Sequence, residues 1–211
     1  MRLKTIGTIG ILFIGFIAAA QKNKDINADE ERFFRFGGKA GVNINKISGT
    51  SYKTGFNYNY QLGAFVQFNL NDRFGIQPEV NFVQTSSEFT DEANVVYNDL
   101  FLDGEQKSAK LNYLEVPVLL NINVGESKHV KFQIGPAYGG LLKQSVDGLK
   151  PGVDKDIYKK GEWSAISGLW IQLPVINLGA RYKLGLTNIN DTEHENKWRN
   201  QAVQIFIGVT I

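Results

Sequence analysis

From Val175 onward, apolar and polar residues alternate one by one. Ile176, Leu178, Ala180, Tyr182, Leu184 and Leu186 fall on one side of an extended chain, and Asn177, Gly179, Arg181, Lys183 and Gly185 on the other. A period of two is the mark of a strand with one apolar and one polar face. The same pattern returns in seven further segments. The first runs from about Phe33 to Asn45, with Phe34, Phe36, Ala40, Val42 and Ile44 opposite Arg35, Lys39 and Asn43. The second, from about Tyr58 to Leu70, sets Tyr58, Tyr60, Leu62, Ala64, Val66 and Phe68 against Gln61, Gln67 and Asn69. The third, Phe74 to about Thr85, opposes Phe74, Ile76, Val80 and Phe82 to Gln77, Glu79 and Asn81. The fourth, about Leu111 to Val124, opposes Leu114, Val116, Val118, Leu120 and Ile122 to Tyr113, Glu115, Asn121 and Asn123. In the fifth, Val130, Phe132, Ile134, Tyr138 and Leu142 alternate with Lys131, Gln133 and small residues. The sixth, roughly Ser164 to Gln172, leaves its faces open, because Ile166 and Trp170 share one side while Leu169 and Ile171 share the other. The last carries Val203, Ile205, Ile207, Val209 and Ile211 against Gln204, Gly208 and Thr210.

The connections alternate in length. Asn71-Asp72, Gly125 to Lys128, and Gln172 to Pro174 are short. Lys46 to Asn57, Ser86 to Lys110, Gln144 to Trp163 and Asn188 to Asn200 are long. Short periplasmic turns and longer external loops are a property of outer-membrane barrels. The expectation is therefore an all-β, eight-stranded antiparallel transmembrane β-barrel, an up-and-down meander whose apolar face meets lipid and whose polar face lines the interior. A soluble ligand carrier would reverse these faces and place its apolar side chains inside.

The N-terminus bears on compartment. Arg2 and Lys4 precede an apolar run from Ile6 to Ile17, followed by Ala18-Ala19-Ala20 and Gln21. This arrangement reads as a cleaved secretory signal, and the run is shorter than the roughly 20 residues of a spanning helix. Residues 1–20 are expected to be a signal peptide, 21–32 a periplasmic lead-in and 33–211 the outer-membrane barrel. Of the 211 residues 12% are aromatic, enough for interfacial girdles, and none is cysteine, which excludes disulfides and thiolate chemistry. The formal charge of +2 is lost with Arg2 and Lys4, so the mature chain offers no broad basic surface for nucleic acid.

Leu111-Asn112-Tyr113-Leu114-Glu115-Val116-Pro117 resembles the tyrosine-leucine-glutamate-x-proline motif of the PorT-like outer-membrane β-barrel proteins of Bacteroidetes. Gly135-Pro136 and the segment Arg181 to Asn188 fit the same pattern, and the resemblance extends over about Phe33 to Ile211. It implies an outer-membrane location in a Gram-negative bacterium and an eight-stranded barrel, and for PorT itself an association with the type IX secretion and gliding apparatus. It also implies an aromatic final residue, where this chain has Ile211.

The residues with chemistry face inward. Arg35, Lys39, Glu79, Glu115, Lys131, Arg181 and Lys183 are expected to form an ionic network that fills the barrel, with Glu79 and Glu115 each bridging cations. The alternative is a narrow pore made anion-preferring by the excess of cations. Glu115 and Pro117 point the same way and read as architecture, since no second acid or nucleophile is placed to work with Glu115. His194, within Asp191-Thr192-Glu193-His194-Glu195, reads as part of a solvated loop. No catalytic residue, metal site or cofactor is expected. In the longest loop, Val95, Val96, Tyr97, Leu100, Phe101 and Leu102 stand among acidic residues and form a candidate partner-binding patch, with a self-packing hairpin as the plainer reading. The expected partners are membrane lipid, periplasmic chaperones and the barrel-assembly machinery, with a secretion-complex or surface partner beyond them. The function expected is structural or one of surface interaction.

Overall fold

The computed structural model describes residues 33–49, 52–53, 55–90, 108–126, 128–148, 157–192 and 197–211. Eight strands account for most of them: β1 (Phe34–Ser48), β2 (Asn57–Asn69), β3 (Phe74–Glu88), β4 (Ser108–Val124), β5 (Val130–Val146), β6 (Gly161–Gln172), β7 (Ile176–Gly185) and β8 (Arg199–Thr210). Each pairs antiparallel with the next, and β8 closes on β1 to make a barrel without edges.

The pleat sorts side chains as the alternation dictates. On β7, Asn177, Arg181 and Lys183 are buried while Ile176, Leu178, Tyr182 and Leu184 are exposed. Comparable apolar residues are exposed on every other strand, among them Val42, Leu62, Val80, Val118, Ile134, Leu169 and Ile205. Such a surface is stable only against lipid. Phe33, Phe34, Phe36 and Phe68 pack on one another at the short-turn end. Tyr60 with Phe82, and Tyr138 with Trp163, occupy the long-loop end. Between Phe34 and the Ile44–Tyr58 pair of β1 and β2, about ten residues at roughly 3.4 Å each and a tilt near 40° span about 25 Å, the height of an outer-membrane apolar band.

The strands at the long-loop end continue past this band. β3 reaches Glu88 and β4 starts at Ser108, so the ends of the expected loop Ser86 to Lys110 are strand. Beyond the band the polarity of the wall reverses. Lys110 and Lys143 face out, whereas Ile47, Ala109 and Leu111 are buried inside. The extension is a collar built like a soluble barrel, on top of a tier built for lipid.

The turns differ from expectation in detail. The first comprises four residues between Asn69 and Phe74, not two. The Asn71 side-chain oxygen accepts from the Arg73 and Phe74 amides, which is how asparagine closes a tight reversal. The second turn uses positive φ at Gly125 (79°) and Lys128 (56°). The β4–β5 register shifts between Asn112 and Tyr113, where Leu142 of β5 is the extra residue of a β-bulge, at the level where the wall passes from lipid tier to collar.

Candidate functional site

The lipid tier is filled by two ionic clusters. In the first, Glu79 on β3 meets Lys39 on β1 at 2.5 Å and Arg181 on β7 in a bidentate pair at 2.8 and 2.9 Å. β3 and β7 lie on opposite sides of the ring, so the Arg181–Glu79 pair spans the lumen. Gln77 and Asn81 also donate to the Glu79 carboxylate, and the Arg181 Nε donates to Gln133 at 2.8 Å. Gln133 in turn donates to Asn121 and Gln77. Glu79 is thus paired and saturated with donors, the condition under which buried charge is tolerated. Lys39 reaches β3 across the intervening β2 because Gly63 stands opposite both Lys39 and Asn81. A Cβ there would strike the Asn81 side chain.

In the second cluster Lys183 on β7 pairs with Glu115 on β4 at 2.5 Å and with Glu162 on β6 at 3.2 Å. One cation serves two carboxylates here, the inverse of the first cluster. Glu162 was not foreseen: the sixth strand begins at Gly161 and not at Ser164, and it carries Glu162 inward, fully buried. Its addition changes the interior balance. The two clusters together hold three cations and three carboxylates and are neutral; with Arg35 and Lys131 the interior carries, among the described residues, five cations against three carboxylates.

Aromatic rings separate the charges from the wall. Phe65, Trp170 and Phe206 form a buried cluster, with Arg181 over the Trp170 and Phe206 rings at 5.4 and 4.6 Å and Lys39 over Phe206 at 4.5 Å. The open question of the sixth strand is settled by this packing: Ile166 and Trp170 face in, Leu169 and Ile171 face lipid. Phe65 and Phe206 were not singled out in the sequence, although they share the inward parity of Gln67 and Gln204, the signal that could have found them.

Arg35 and Lys131 lie toward the short-turn end. Arg35 is half-buried and donates to the Pro174 carbonyl at 3.3 Å. Lys131 is buried and donates to Asn123 at 2.7 Å. Tyr113 and Pro117 face inward with Glu115.

The collar is closed by a second, apolar plug. Tyr52, Phe89, Tyr158, Ile157, Ile189 and Trp198 are buried with Ile47, Ala109, Leu111 and Tyr113 of the strands. Each of the four long connections supplies at least one of these residues. Tyr52 stacks on Phe89 at 4.6 Å and meets Trp198 edge-on at 5.2 Å, and the Tyr52 and Tyr158 hydroxyls share a hydrogen bond of 2.6 Å. Two isolated bridges, Tyr52 with Phe89 and Tyr158 with Asn190, tie the segments together. This plug was not legible in the sequence, because single aromatics in polar loops carry no period. The candidate patch Val95, Val96, Tyr97, Leu100, Phe101 and Leu102, and His194 with its neighbours Glu193 and Glu195, lie outside the described residues.

None of the curated proteins compared matches the sequence. Among solved structures, the chain is similar to Neisserial surface protein A at 14% identity and a TM-score of 0.49, over 84% of this chain and 97% of that one. It is similar to Ail, the attachment invasion locus protein of Yersinia pestis, at 12% identity and 0.48, over 85% and 100%. For the outer membrane protein OprG from Pseudomonas aeruginosa the values are 12% and 0.47, over 84% and 95%. The sequence model of the outer membrane protein beta-barrel domain matches residues 19–191, and the chain belongs to that family.

Proposed function

We propose that this outer-membrane barrel is a closed, non-conducting scaffold that presents its outer collar and loops to the surroundings, without enzymatic activity of its own. The observation that carries this reading is the double closure of the lumen. Arg181–Glu79 and Lys183–Glu115 cross the lipid tier, and the plug around Tyr52, Tyr158 and Trp198 covers the collar. An ion entering from either side would have to displace a desolvated ion pair, at several kcal/mol per charge, or part packed aromatic rings. Glu115 has Lys183 as its partner, which supports an architectural role over a catalytic one.

Export by cleavage after Ala20, delivery by periplasmic chaperones and insertion by the barrel-assembly machinery complete the proposal. A place in a secretion or gliding assembly of the PorT kind is the second reading. It rests on the Tyr113-Leu114-Glu115-Val116-Pro117 resemblance alone, and Tyr113, Glu115 and Pro117 point into the barrel, where no partner reaches them.

Planar-bilayer recording of the refolded protein tests the proposal. Heat-modifiable, β-rich protein should give no steady current. Sustained anion-selective steps would replace the scaffold by a pore.

A further inference from the structure

The outward face of the collar carries four cations, of which Lys46 holds its Nζ over the Phe56 ring at 5.1 Å. Lys110 on β4 lies opposite Ser145 of β5, and Lys143 of β5 opposite Asn112 of β4, so the two lysines are diagonal neighbours on the outer surface. On the other side of the ring, Lys46 of β1 lies opposite Gln201 of β8 and Arg199 of β8 opposite Ser48 of β1, the same diagonal arrangement. Cβ atoms so related are about 7–8 Å apart, a separation at which two long side chains converge on one phosphate group. Among the described residues none of these four forms an ion pair, whereas Lys53 of the same collar is paired with Glu88, and Lys128 at the short-turn end with Asp72.

What lies beneath each pair is as informative. Trp163, 53% exposed, packs on Tyr138 below Lys110 and Lys143. Tyr58, 76% exposed, and Tyr182 lie below Lys46 and Arg199. Tyrosine and tryptophan settle at headgroup depth. The cations stand beyond the lipid-facing residues, Lys46 two residues past Ile44, Lys143 next to Leu142, and Lys110 and Arg199 four residues past Leu114 and Val203, on the side of the headgroups, where long side chains carry their charged ends outward.

We infer that the collar binds phosphate-bearing lipid headgroups of the outer leaflet at two sites on opposite sides of the barrel, one between Lys110 and Lys143 and one between Lys46 and Arg199. Each cation near such a surface strengthens binding by about fivefold, so the loss of one pair weakens its site by roughly tenfold or more.

The refolded full chain is incubated in mixed micelles with lipid A carrying both phosphates, or with lipid A from which both have been removed, and the lipid retained is counted by native mass spectrometry. The wild-type protein should retain the phosphorylated lipid preferentially, with two bound per barrel. K110Q/K143Q and K46Q/R199Q should each retain one, and the quadruple variant none, all with an unchanged heat-modifiable gel shift. K53Q/E88Q, which removes a paired cation of the same collar, should behave as wild type. Equal retention of the two lipids, full competition by inorganic phosphate at the lipid's own concentration, or unchanged retention in the quadruple variant would overturn the inference. The last result would leave the cations to an acidic protein segment instead. The substituted side chains face outward, so a folding defect is not expected, and the gel shift detects one.

Discussion

Glu79 and Glu115 are alike in burial and unlike in circumstance. Among the described residues Glu79 is the single carboxylate paired with Lys39 and Arg181, while Glu115 shares Lys183 with Glu162. Removing the charge of Glu79 leaves two buried cations without an anion. Glu79→Gln should therefore destabilise the barrel by about 3–5 kcal/mol, the cost of breaking a buried pair. Glu115→Gln leaves Lys183 still paired with Glu162 and should cost less, about 1–3 kcal/mol. Glu115→Gln with Glu162→Gln should cost more than the sum of the two single changes, because only the double variant strands Lys183. The temperature at which the refolded barrel loses its compact electrophoretic form orders these variants. Glu115→Gln as damaging as Glu79→Gln would contradict the assignment of partners. Most of these residues were legible in the sequence, since period-two alternation fixes which side chains meet inside a barrel. Their pairing was not, because alternation says nothing of which residues across the lumen reach one another. Glu162 was lost for a different reason. The sixth strand mixes apolar residues on both faces around Trp170, so its start could not be followed back past Ser164.

At the scale of elements, the strands outrun the pattern that revealed them. Alternation with apolar residues outward ends near Thr85 on β3 and begins near Leu111 on β4, while the hydrogen-bonded ladder runs on from Ser86 opposite Lys110 to Glu88 opposite Ser108. The physical cause is the change of solvent: above the lipid the outside wants charge and the inside wants apolar packing, so the sign of the pattern flips and the eye reads a loop. The two tiers should respond separately to damage. Trp198→Ala removes the ring against which Tyr52, Phe89 and Tyr158 pack, a loss of about 3–5 kcal/mol to the collar. Limited proteolysis should then cut the long connections faster, with the membrane-embedded strands still protected. Simultaneous loss of both would show one cooperative unit. Within the lipid tier, glycines hold the space for the large rings. Gly179 lies between Trp170 and Phe206 in the ladder, and a Cβ on it would enter the Phe206 ring. Gly179→Val should displace Phe206 from Arg181 and destabilise by about 1–3 kcal/mol, read by the same thermal shift.

The whole molecule is one wall with two interiors. In the lipid tier a neutral set of ion pairs and amides lies inside an apolar exterior; in the collar an aromatic plug lies inside an exterior bearing Lys46, Lys110, Lys143 and Arg199. The barrel class and the membrane-facing surface followed from the sequence because they depend on short-range order. The plug did not, because it is assembled from loop residues far apart in the chain. The three tryptophans of the protein sample the three environments this account distinguishes: Trp163 is exposed on the lipid face, Trp170 is buried in the lipid tier and Trp198 is buried in the collar plug. The most direct measurement is fluorescence quenching of the single-tryptophan variants, with the other two changed to phenylalanine, in bilayers of brominated lipid and then with aqueous iodide. Trp163 should be quenched by the lipid, and Trp170 and Trp198 should be protected from both quenchers. Quenching of Trp170 by brominated chains would place the wrong face against lipid, and quenching of Trp198 by iodide would show that the mouth of the barrel is open.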